Sequence, residues 1–491
     1  MAAPVETSSG LRTKYEPVVG LEVHVQLLTA SKIFCSCSTR FGDPPNSNVC
    51  PVCLGLPGAL PVLNRKAVEF ATLAAMALNC QIRERSVFAR KNYFYPDLPK
   101  GYQISQYDKP LAEHGFIEIE SAKGRKRVGI TRVHLEEDAG KSLHEGFPDA
   151  GDKTAIDLNR SGVPLIEIVS EPDIASPEEA YHYLTRLKEI ILYTGVSDCN
   201  MEEGSLRCDA NVSVRPRGEI KLGTKTEVKN VNSFRFIRDA LEYEIDRQVD
   251  VVESGGNVIQ ETRLYNAHEG KTYGMRSKEQ AHDYRYFPEP DLLPLVVDEN
   301  WREEIRRTLP ELPEARRTRM VAEYGINAQD AQVLTMTKTL ADQFEAAARA
   351  ARNPKRVANL VQSELIGRLK AKGLSIEQSP ISMHGVAEAA NLLESGKVSG
   401  KMLKDLLDLS FERGQDFPAV YEAEGRPEQS HDTAALEKII DQVLAANPKQ
   451  VEQYRAGKKT VLGFFVGQVM KLSKGQANPQ LANELVEKKL G

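Results

Sequence analysis

The chain has 491 residues, and a content of 41% hydrophobic and 27% charged residues is typical of a soluble globular protein of about three domains. No apolar run approaches the roughly 18 residues that a membrane-spanning helix needs, so no membrane association is expected. A formal net charge of −5 excludes a basic surface over the whole molecule. Any contact with nucleic acid must therefore come from local basic patches.

The first 14 residues carry no apolar signal core and are not rich in arginine. The sequence therefore predicts neither export nor organelle import, and we expect residues 1–14 to form a flexible N-terminus of a cytoplasmic protein. In that compartment the seven cysteines are not expected to form disulfides.

A strand with one apolar and one polar face is predicted at residues 20–27. Glu22, His24 and Gln26 alternate with apolar residues and fall on one face. Because same-face neighbours lie about 6.5–7 Å apart, Glu22 and His24 can converge on one ion or one phosphate. The same pattern also fits a strand face turned to solvent, and the residues of this strand alone leave both interpretations open.

Four cysteines form two closely spaced pairs, Cys35-x-Cys37 and Cys50-x-x-Cys53. Turn-forming Pro, Gly and Asn residues around them favour a tetrahedral zinc site. The spacing of the first pair is one residue shorter than is usual for zinc ligands. Four protein ligands would leave no open position, so the predicted zinc is structural; four buried thiols without metal are the alternative.

Two polar segments follow. Residues 90–102 mix basic and aromatic residues, as nucleotide and single-stranded nucleic-acid sites do, although the rings also suit a hydrophobic core. Residues 132–141 end a predicted strand in three consecutive acids, Glu136, Glu137 and Asp138. Near Glu22 and His24 such acids would bind a divalent cation; alone they would lie in solvent.

The clearest strand is residues 205–215, where every odd position is polar and every even position is apolar. A partner strand that carries Lys225, Glu227 and Lys229 is predicted after the turn residues Pro216, Gly218 and Gly223. A polar face with Arg207 and Asp209 favours ligand contact, against the alternative of an ordinary hairpin with a wet side.

Beyond residue 300 the chain is predicted to be helical, with helices at residues 328–351, 354–372 and 382–395. A break rich in Gly, Pro and acids at residues 414–428 precedes a last helical unit at residues 433–490. Within that unit, residues 455–476 contain basic residues and no acid, which predicts phosphate contact, or alternatively a solvated helix face. The proposed contact residues are Lys458, Lys459, Lys471 and Lys474.

Familiar nucleotide-binding and nucleophile motifs are absent from the sequence, including the P-loop, G-x-G-x-x-G after a strand and G-x-S-x-G. If the protein binds ATP, it must do so on a scaffold of strands and metal.

Several segments together resemble one family, the B subunit of the tRNA-dependent aspartyl/glutamyl-tRNA amidotransferase. The resemblance implies an α+β fold with an antiparallel-sheet cradle-shaped catalytic domain at 15–300, an all-helical domain at 301–413 and a small helical, tRNA-binding tail at 414–491. It implies that ATP phosphorylates the side-chain carboxylate of Asp or Glu on misacylated tRNA and that ammonia displaces the phosphate. The matching segments are 20–27, 90–100, 134–141, 157–171, 202–214, 225–234, 282–291 and 463–481.

The resemblance also implies roles for individual residues. Mg²⁺ would be held by Glu22, His24, Glu137 and Asp209, with Glu167 close by. Lys91, Arg207 and Lys229 would contact phosphate or carboxylate groups. Ammonia would come from an amidase-type glutaminase, the A subunit, and a small C subunit would complete a heterotrimer.

Two other functions fit parts of the sequence. A non-catalytic, zinc-stabilised tRNA-binding subunit would explain the cysteines and the basic stretch but not the many carboxylates on strand faces. A ligase acting on a free amino acid would explain the phosphate chemistry but not the basic stretch. The sequence leaves open whether Asp-tRNA, Glu-tRNA or both are substrates.

Overall fold

The computed structural model describes residues 13–275, 284–427, 433–473 and 477–491. The chain divides into two compact units, Met1–Leu312 and Pro313–Gly491. Strands of a large, mainly antiparallel sheet occupy the first unit and helices the second, so the predicted mixture of α and β structure is confirmed. Most of the predicted flexible N-terminus, His282 and Lys474 lie outside the described residues.

Nine strands form the main sheet, in the order β14-β13-β12-β11-β1-β10-β7-β6-β2. The predicted strands at residues 20–27 and 205–215 become β1 and β11, which pair along most of their length. The strands are β1 Tyr15–Gln26, β2 Gln81–Ile82, β3 Arg85–Ser86, β4 Phe88–Asn92, β5 Tyr102–Gln106, β6 Ala112–Ser121, β7 Gly124–Glu137, β8 Lys141–Leu143, β9 Ala155–Asp157, β10 Pro164–Ser170, β11 Leu206–Pro216, β12 Thr226–Lys229, β13 Thr262–Asn266, β14 Lys271–Gly274, β15 Phe287–Pro288 and β16 Leu295–Val296.

Helices cover the apolar face of this sheet. They are α1 Arg65–Ala77, α2 Pro177–Thr194 and α3 Phe234–Glu253, and α4 Glu299–Arg306 follows. The side chain of Ser176 accepts a hydrogen bond from the backbone of Glu179 and begins α2, and left-handed Gly195 ends it. Val23 and Val25 of β1 are fully buried in the same core, and each such burial contributes about 1.5–3 kcal/mol.

Three smaller sheets surround the main one. They contain β15-β4-β5, β16-β3 and β8-β9. In the first, Phe287 pairs with Arg90, which joins segments almost 200 residues apart in sequence. The side chain of Arg90 binds both oxygens of buried Glu289, at 2.7 and 2.8 Å. This pairing fixes the position of β4 and hence of Lys91.

Helices joined by short connections make up the described residues of the second unit. Its α-helices are α5 Pro313–Tyr324, α6 Ala328–Leu334, α7 Lys338–Ala350, α8 Pro354–Leu360, α9 Ile366–Lys372, α10 Met383–Glu394, α11 Gly400–Arg413, α12 Phe417–Ala423, α13 Thr433–Ala446, α14 Pro448–Arg455, α15 Leu462–Leu472 and α16 Pro479–Leu490. They form two hydrophobic cores, one built from residues 320–421 and one from residues 436–490. No helix among the described residues is both long enough and apolar enough to cross a bilayer.

Two helical predictions differ from the structure. The helix expected at 328–351 is two helices, because Thr337 caps a new one through a hydrogen bond from the Leu340 backbone. The break expected at 414–428 contains α12, whose first turn is capped by Asp416 and includes Pro418. Both differences have the same cause. A capping side chain starts a new helix at a point where the composition of the segment predicts either an uninterrupted helix or a loop.

Candidate functional site

A continuous polar face runs across five neighbouring strands of the main sheet, β7, β10, β1, β11 and β12. His24 of β1 lies directly opposite Glu167 of β10 on one side and Arg207 of β11 on the other. Glu167 in turn faces His134 of β7. Because residues at facing positions share a face of the sheet, the two-residue periods of separate strands combine into one surface. The apolar residues between them point into the core.

Three side chains at the centre of this face form a compact group. Nε2 of His24 lies 3.3 Å from Oε2 of Glu167. Ligand atoms of His24, Glu136 and Glu167 all lie within 4.8 Å of one another, which is close enough for one metal ion. Two carboxylates suit Mg²⁺ or Mn²⁺, while an imidazole is a more usual ligand of transition metals. The group therefore fits a divalent cation without selecting Mg²⁺ by its chemistry alone.

The contact between Glu167 and His24 stabilises the ionised form of the first and the protonated form of the second. Burial opposes ionisation of Glu167, but nearby His134 and hydrogen-bonded His24 outweigh it and hold the pKa of Glu167 well below its ordinary value. Burial also opposes the charged form of His24, yet the hydrogen bond to Glu167 leaves the pKa of His24 raised. For His134, burial dominates and lowers the pKa. These contacts thus favour the ionised form of Glu167 at the centre of the polar face.

Lys91 lies on β4, in the three-stranded sheet β15-β4-β5, and its side chain reaches Glu136 of the group. Its Nζ lies 3.4 Å from Oε2 of Glu136 and 5.3 Å from the centre of the Tyr284 ring. Burial would lower the pKa of Lys91, but the charge of Glu136 outweighs it and raises the pKa. An ammonium group has three protons to donate, so Lys91 retains donors beyond its contact with Glu136.

The two acids after Glu136 have different partners. Glu137 forms an ion pair with Lys100 and accepts a 2.8 Å hydrogen bond from the backbone N–H of Ile104. Asp138 accepts two 2.9 Å hydrogen bonds from Nη2 of Arg207. The predicted metal ligand Glu137 therefore stands outside the His24 group, because successive strand residues point to opposite faces.

Glu22 and Asp209 occupy facing positions beside the group. Nδ2 of Asn211 donates a 3.0 Å hydrogen bond to Oε1 of Glu22. Lys229 binds Oδ2 of Asp209 at 3.1 Å and Oε1 of Glu227 at 3.3 Å. Burial, reinforced by the charge of Glu167, raises the pKa of Glu22. The structure thus gathers both predicted acids on the polar face, and their role as metal ligands stays a prediction.

The four predicted zinc ligands come together as expected. The thiol groups of Cys35, Cys37, Cys50 and Cys53 lie within 4.8 Å of one another and could hold one metal ion. A hydrogen bond from the Cys35 thiol, together with one from the Cys50 backbone, lowers the pKa of Cys53 to about 4. Burial raises the pKa of Cys37 to about 11. Metal ligation requires thiolates, so binding of a metal ion releases protons from these thiols.

A cleft of about 740 Å³ begins where the polar face ends. Gln26 of β1 and Arg207 of β11 line it on the side of the sheet, and Arg160, Glu202 and Glu203 line it elsewhere. Its volume is that of a typical small-molecule site. The cleft could therefore admit a substrate to the neighbourhood of His24.

Sequence reasoning singled out none of three residues of this site, Glu136, His134 and Lys100, although it named Glu136 as one of three consecutive acids that would bind a divalent cation near Glu22 and His24. A signal for the first two exists, because Arg132, His134 and Glu136 alternate along β7 in the way that Glu22 and His24 alternate along β1. Lys100 gives no such signal, since it lies in a loop and reaches Glu137 only through the fold.

The basic stretch of the second unit is exposed. Lys458, Lys459 and Lys471 are all exposed, and Lys459 lies over the ring of Tyr454, 4.7 Å from its centre. Phe465 and Val469 of α15 are fully buried on the opposite side. The described lysines are thus available for phosphate contact, and that contact stays a prediction.

Residues 17–303, more than half of the chain, match the family described as the GatB/GatE catalytic domain. The chain belongs to the GatB/GatE family. A second family model, described as the GatB domain, matches residues 342–490. This confirms the family predicted from the sequence motifs.

Curated relatives of this GatB/GatE chain are named as the B subunit of aspartyl/glutamyl-tRNA(Asn/Gln) amidotransferase. One from Carboxydothermus hydrogenoformans is 57% identical over 477 residues, which are 97% of this chain and 99% of the relative. One from Geotalea uraniireducens is 56% identical over the same shares of both chains. One from Geobacter sulfurreducens is 54% identical over 476 residues, again 97% and 99%.

Proposed function

We propose that this chain is the B subunit of a tRNA-dependent amidotransferase, a ligase that forms a carbon–nitrogen bond in protein biosynthesis. Relatives with this name match it over nearly their whole length and at more than half of the aligned positions. The substrate is tRNA that carries Asp or Glu in place of Asn or Gln. The product is the corresponding Asn-tRNA or Gln-tRNA.

The observation that carries the mechanism is the His24, Glu136 and Glu167 group beside a cleft large enough for a substrate. A carboxylate is a poor electrophile, so one of its oxygens first attacks the γ-phosphorus of ATP and ADP leaves. Ammonia then attacks the acyl carbon and phosphate leaves. A divalent cation held by this group would offset the repulsion between the ATP phosphates and the substrate carboxylate.

The cations of the polar face have two proposed tasks: Lys91 and Lys229 contact phosphate or carboxylate oxygens, and Arg207 orients an acid. Each of Lys91, Arg207 and Lys229 is paired with an acid, which fixes its position. The ammonium groups of Lys91 and Lys229 keep donors for phosphate or carboxylate oxygens. Arg207 makes two 2.9 Å hydrogen bonds to Asp138, and we propose that its task is to orient this carboxylate beside the cleft.

Further proposals concern the other parts of the protein. The four cysteines hold a structural zinc ion. Residues 15–300 form the catalytic cradle, residues 301–413 a helical domain and residues 414–491 a tail that binds tRNA. Ammonia is delivered by an amidase-type glutaminase, the A subunit, and a small C subunit completes the heterotrimer. ATP and Mg²⁺ are the remaining requirements.

The test is amidation by the reconstituted complex, with ATP, glutamine and each of the two misacylated tRNAs. Glu167→Gln should reduce amidation at least about 100-fold, because it removes one ligand and the anion at the centre of the group. Glutamine hydrolysis without ATP should persist, since that reaction belongs to the partner. Glu118→Gln, an exposed acid on β6, is the control and should keep full activity.

Near-normal amidation by the Glu167→Gln complex would refute the metal group. Amidation of free Asp or Glu without tRNA would instead indicate the free-amino-acid ligase.

A further inference from the structure

The end of β7 lies between two chemically different sites. Glu136 faces the His24 group, and the next residue, Glu137, faces a separate cavity of about 160 Å³. That cavity is also lined by Cys35, Cys53 and Lys100. Because Glu136 and Glu137 are neighbours at the end of one strand, a shift of the backbone at Glu137 also moves Glu136.

Glu137 is held firmly in that cavity. Its carboxylate pairs with Lys100, and both side chains are almost completely buried, 3% and 8% exposed. The backbone N–H of Ile104 donates a second hydrogen bond, 2.8 Å long. A buried carboxylate with two such partners has little freedom to move, so the position of Lys100 determines the position of Glu137.

The segment of residues 32–62, here called the cysteine knuckle, contacts this pair directly. Gly55 has a left-handed backbone with φ of +65°, and a Cβ atom added there would overlap the Cγ methylene of Lys100. Gly58, in the same loop, is also left-handed at φ +83°, but its added Cβ would meet no atom within 4 Å. The stem of Lys100 thus packs on Gly55.

A second connection runs through the backbone. The N–H of Ile33 donates to the carbonyl of Gly162 at 2.9 Å, and the N–H of Gly162 donates to the carbonyl of Asp138 at 2.8 Å. Buried Lys32 donates to the carbonyls of Asn48 and Leu158, at 2.7 and 3.2 Å. The cysteine knuckle is therefore connected to the end of β7 at two points, the side chain of Glu137 through Lys100 and the carbonyl of Asp138 through Gly162.

We propose that the cysteine knuckle sets the geometry of the His24, Glu136 and Glu167 group, and that Lys100 is the positioning residue that transmits it. This inference rests on the proposed function only in requiring that the group binds a divalent cation. Lys100 itself lies on the side of Glu137 away from His24 and makes no contact with the group. It acts by holding Glu137, and through the strand it places Glu136.

Gly55→Ala and Gly58→Ala provide a matched pair of variants. Both put a side chain on a left-handed residue of the same loop, and only Gly55→Ala displaces Lys100. Binding of Mn²⁺ alone to the full-length protein, and kcat and KM of the reconstituted complex, should be measured for both. Gly55→Ala should weaken Mn²⁺ binding and lower kcat, each about 10-fold or more, with KM for charged tRNA unchanged. Gly58→Ala should leave both the Mn²⁺ affinity and kcat unchanged.

A second set of variants tests Lys100 without leaving a buried charge unpaired. The double variant Lys100→Met with Glu137→Gln removes both charges. It should show the same loss of Mn²⁺ affinity and of kcat as Gly55→Ala, and it should retain the zinc of the cysteine knuckle. Lys100→Arg keeps the positive charge and should therefore retain most of the Mn²⁺ affinity of the wild-type protein. Equal Mn²⁺ binding and kcat in wild type, Gly55→Ala and the double variant would overturn the proposal. Failure of the wild-type protein to bind Mn²⁺ at this group would instead refute the proposed metal site.

Discussion

Arg207 binds Asp138 through two hydrogen bonds of 2.9 Å, although the two residues are 69 positions apart in sequence. Gln26 adds a third hydrogen bond to Asp138, 2.7 Å long. Burial opposes the charge of Asp138, but Arg207 and Arg160 outweigh it and lower the pKa of Asp138. This contact joins β11, β1 and the end of β7 beside the cleft that Gln26 and Arg207 line.

Arg207→Met should therefore affect stability as well as activity. It leaves the buried carboxylate of Asp138 without its closest cation and should cost about 3 kcal/mol in the free energy of unfolding. The urea midpoint of the full-length protein measures this cost. Replacing both partners, as Arg207→Met with Asp138→Leu, should restore most of the stability but not amidation. An unchanged midpoint in the single variant would show that Gln26 and Arg160 suffice for Asp138.

The cysteine knuckle should contain one zinc ion per chain. Cys50→Ser should lose that metal and destabilise the first unit, because metal binding energy is also folding energy. Cys80→Ala, at a cysteine outside the knuckle, should keep the metal. Metal analysis with thiol titration checks both variants. A purified protein without zinc, in which all four thiols react freely, would contradict the prediction.

The exposed lysines of the second unit should contribute to tRNA affinity without reading its sequence. Replacing Lys458, Lys459 and Lys471 together by Ala should weaken binding of any tRNA. The slope of log K against log salt should fall by about 2 to 3, close to one for each lost phosphate contact. Lys438→Ala with Lys449→Ala changes two exposed lysines of the same helical unit and serves as control. An unchanged slope in the triple variant would make the basic stretch an ordinary solvated face.

Buried Glu244 should make stability depend on acid pH. Burial opposes its charge, but hydrogen bonds from Arg247 and Gln248 outweigh this and lower the pKa of Glu244. Its contribution to stability is therefore present above the ordinary pKa of 4.5 and lost as the pH falls below it. Glu244→Gln should lower the urea midpoint at pH 7 and have a smaller effect near pH 3. An equal shift at both pH values would exclude the charge as the cause. Exposed Glu304→Gln serves as the control.

The sequence predicts those parts of the site whose pattern lies within one strand. The two-residue period identifies β1 and β11 and places Glu22, His24, Arg207 and Asp209 on their polar faces. The short cysteine spacings likewise identify the thiol group, because turns bring near neighbours together. In both cases the geometry is local to the chain.

Contacts between distant segments could not be predicted in this way. Nothing in the sequence pattern shows that residues 287–288 pair with β4, or that Lys91 then reaches Glu136. Which of the two acids, Glu136 or Glu137, belongs to the His24 group could be predicted only in part. Alternation from His134 favours Glu136 for the His24 group, whereas motif matching selected Glu137. Register across strands, which decides between them, is a property of the assembled sheet.

The position of β1 in the sheet has a consequence for synthesis of the protein. This strand leaves the ribosome well before its neighbours β10 and β11, which follow about 140 and 180 residues later. At about 5–20 residues per second, β1 waits roughly 10 to 40 s for its second neighbour. Until β10 emerges, neither edge of β1 has a strand to pair with, and its apolar residues, which include Val23 and Val25, lack the finished sheet around them. Nascent chains of this protein should therefore bind chaperones early and fold late.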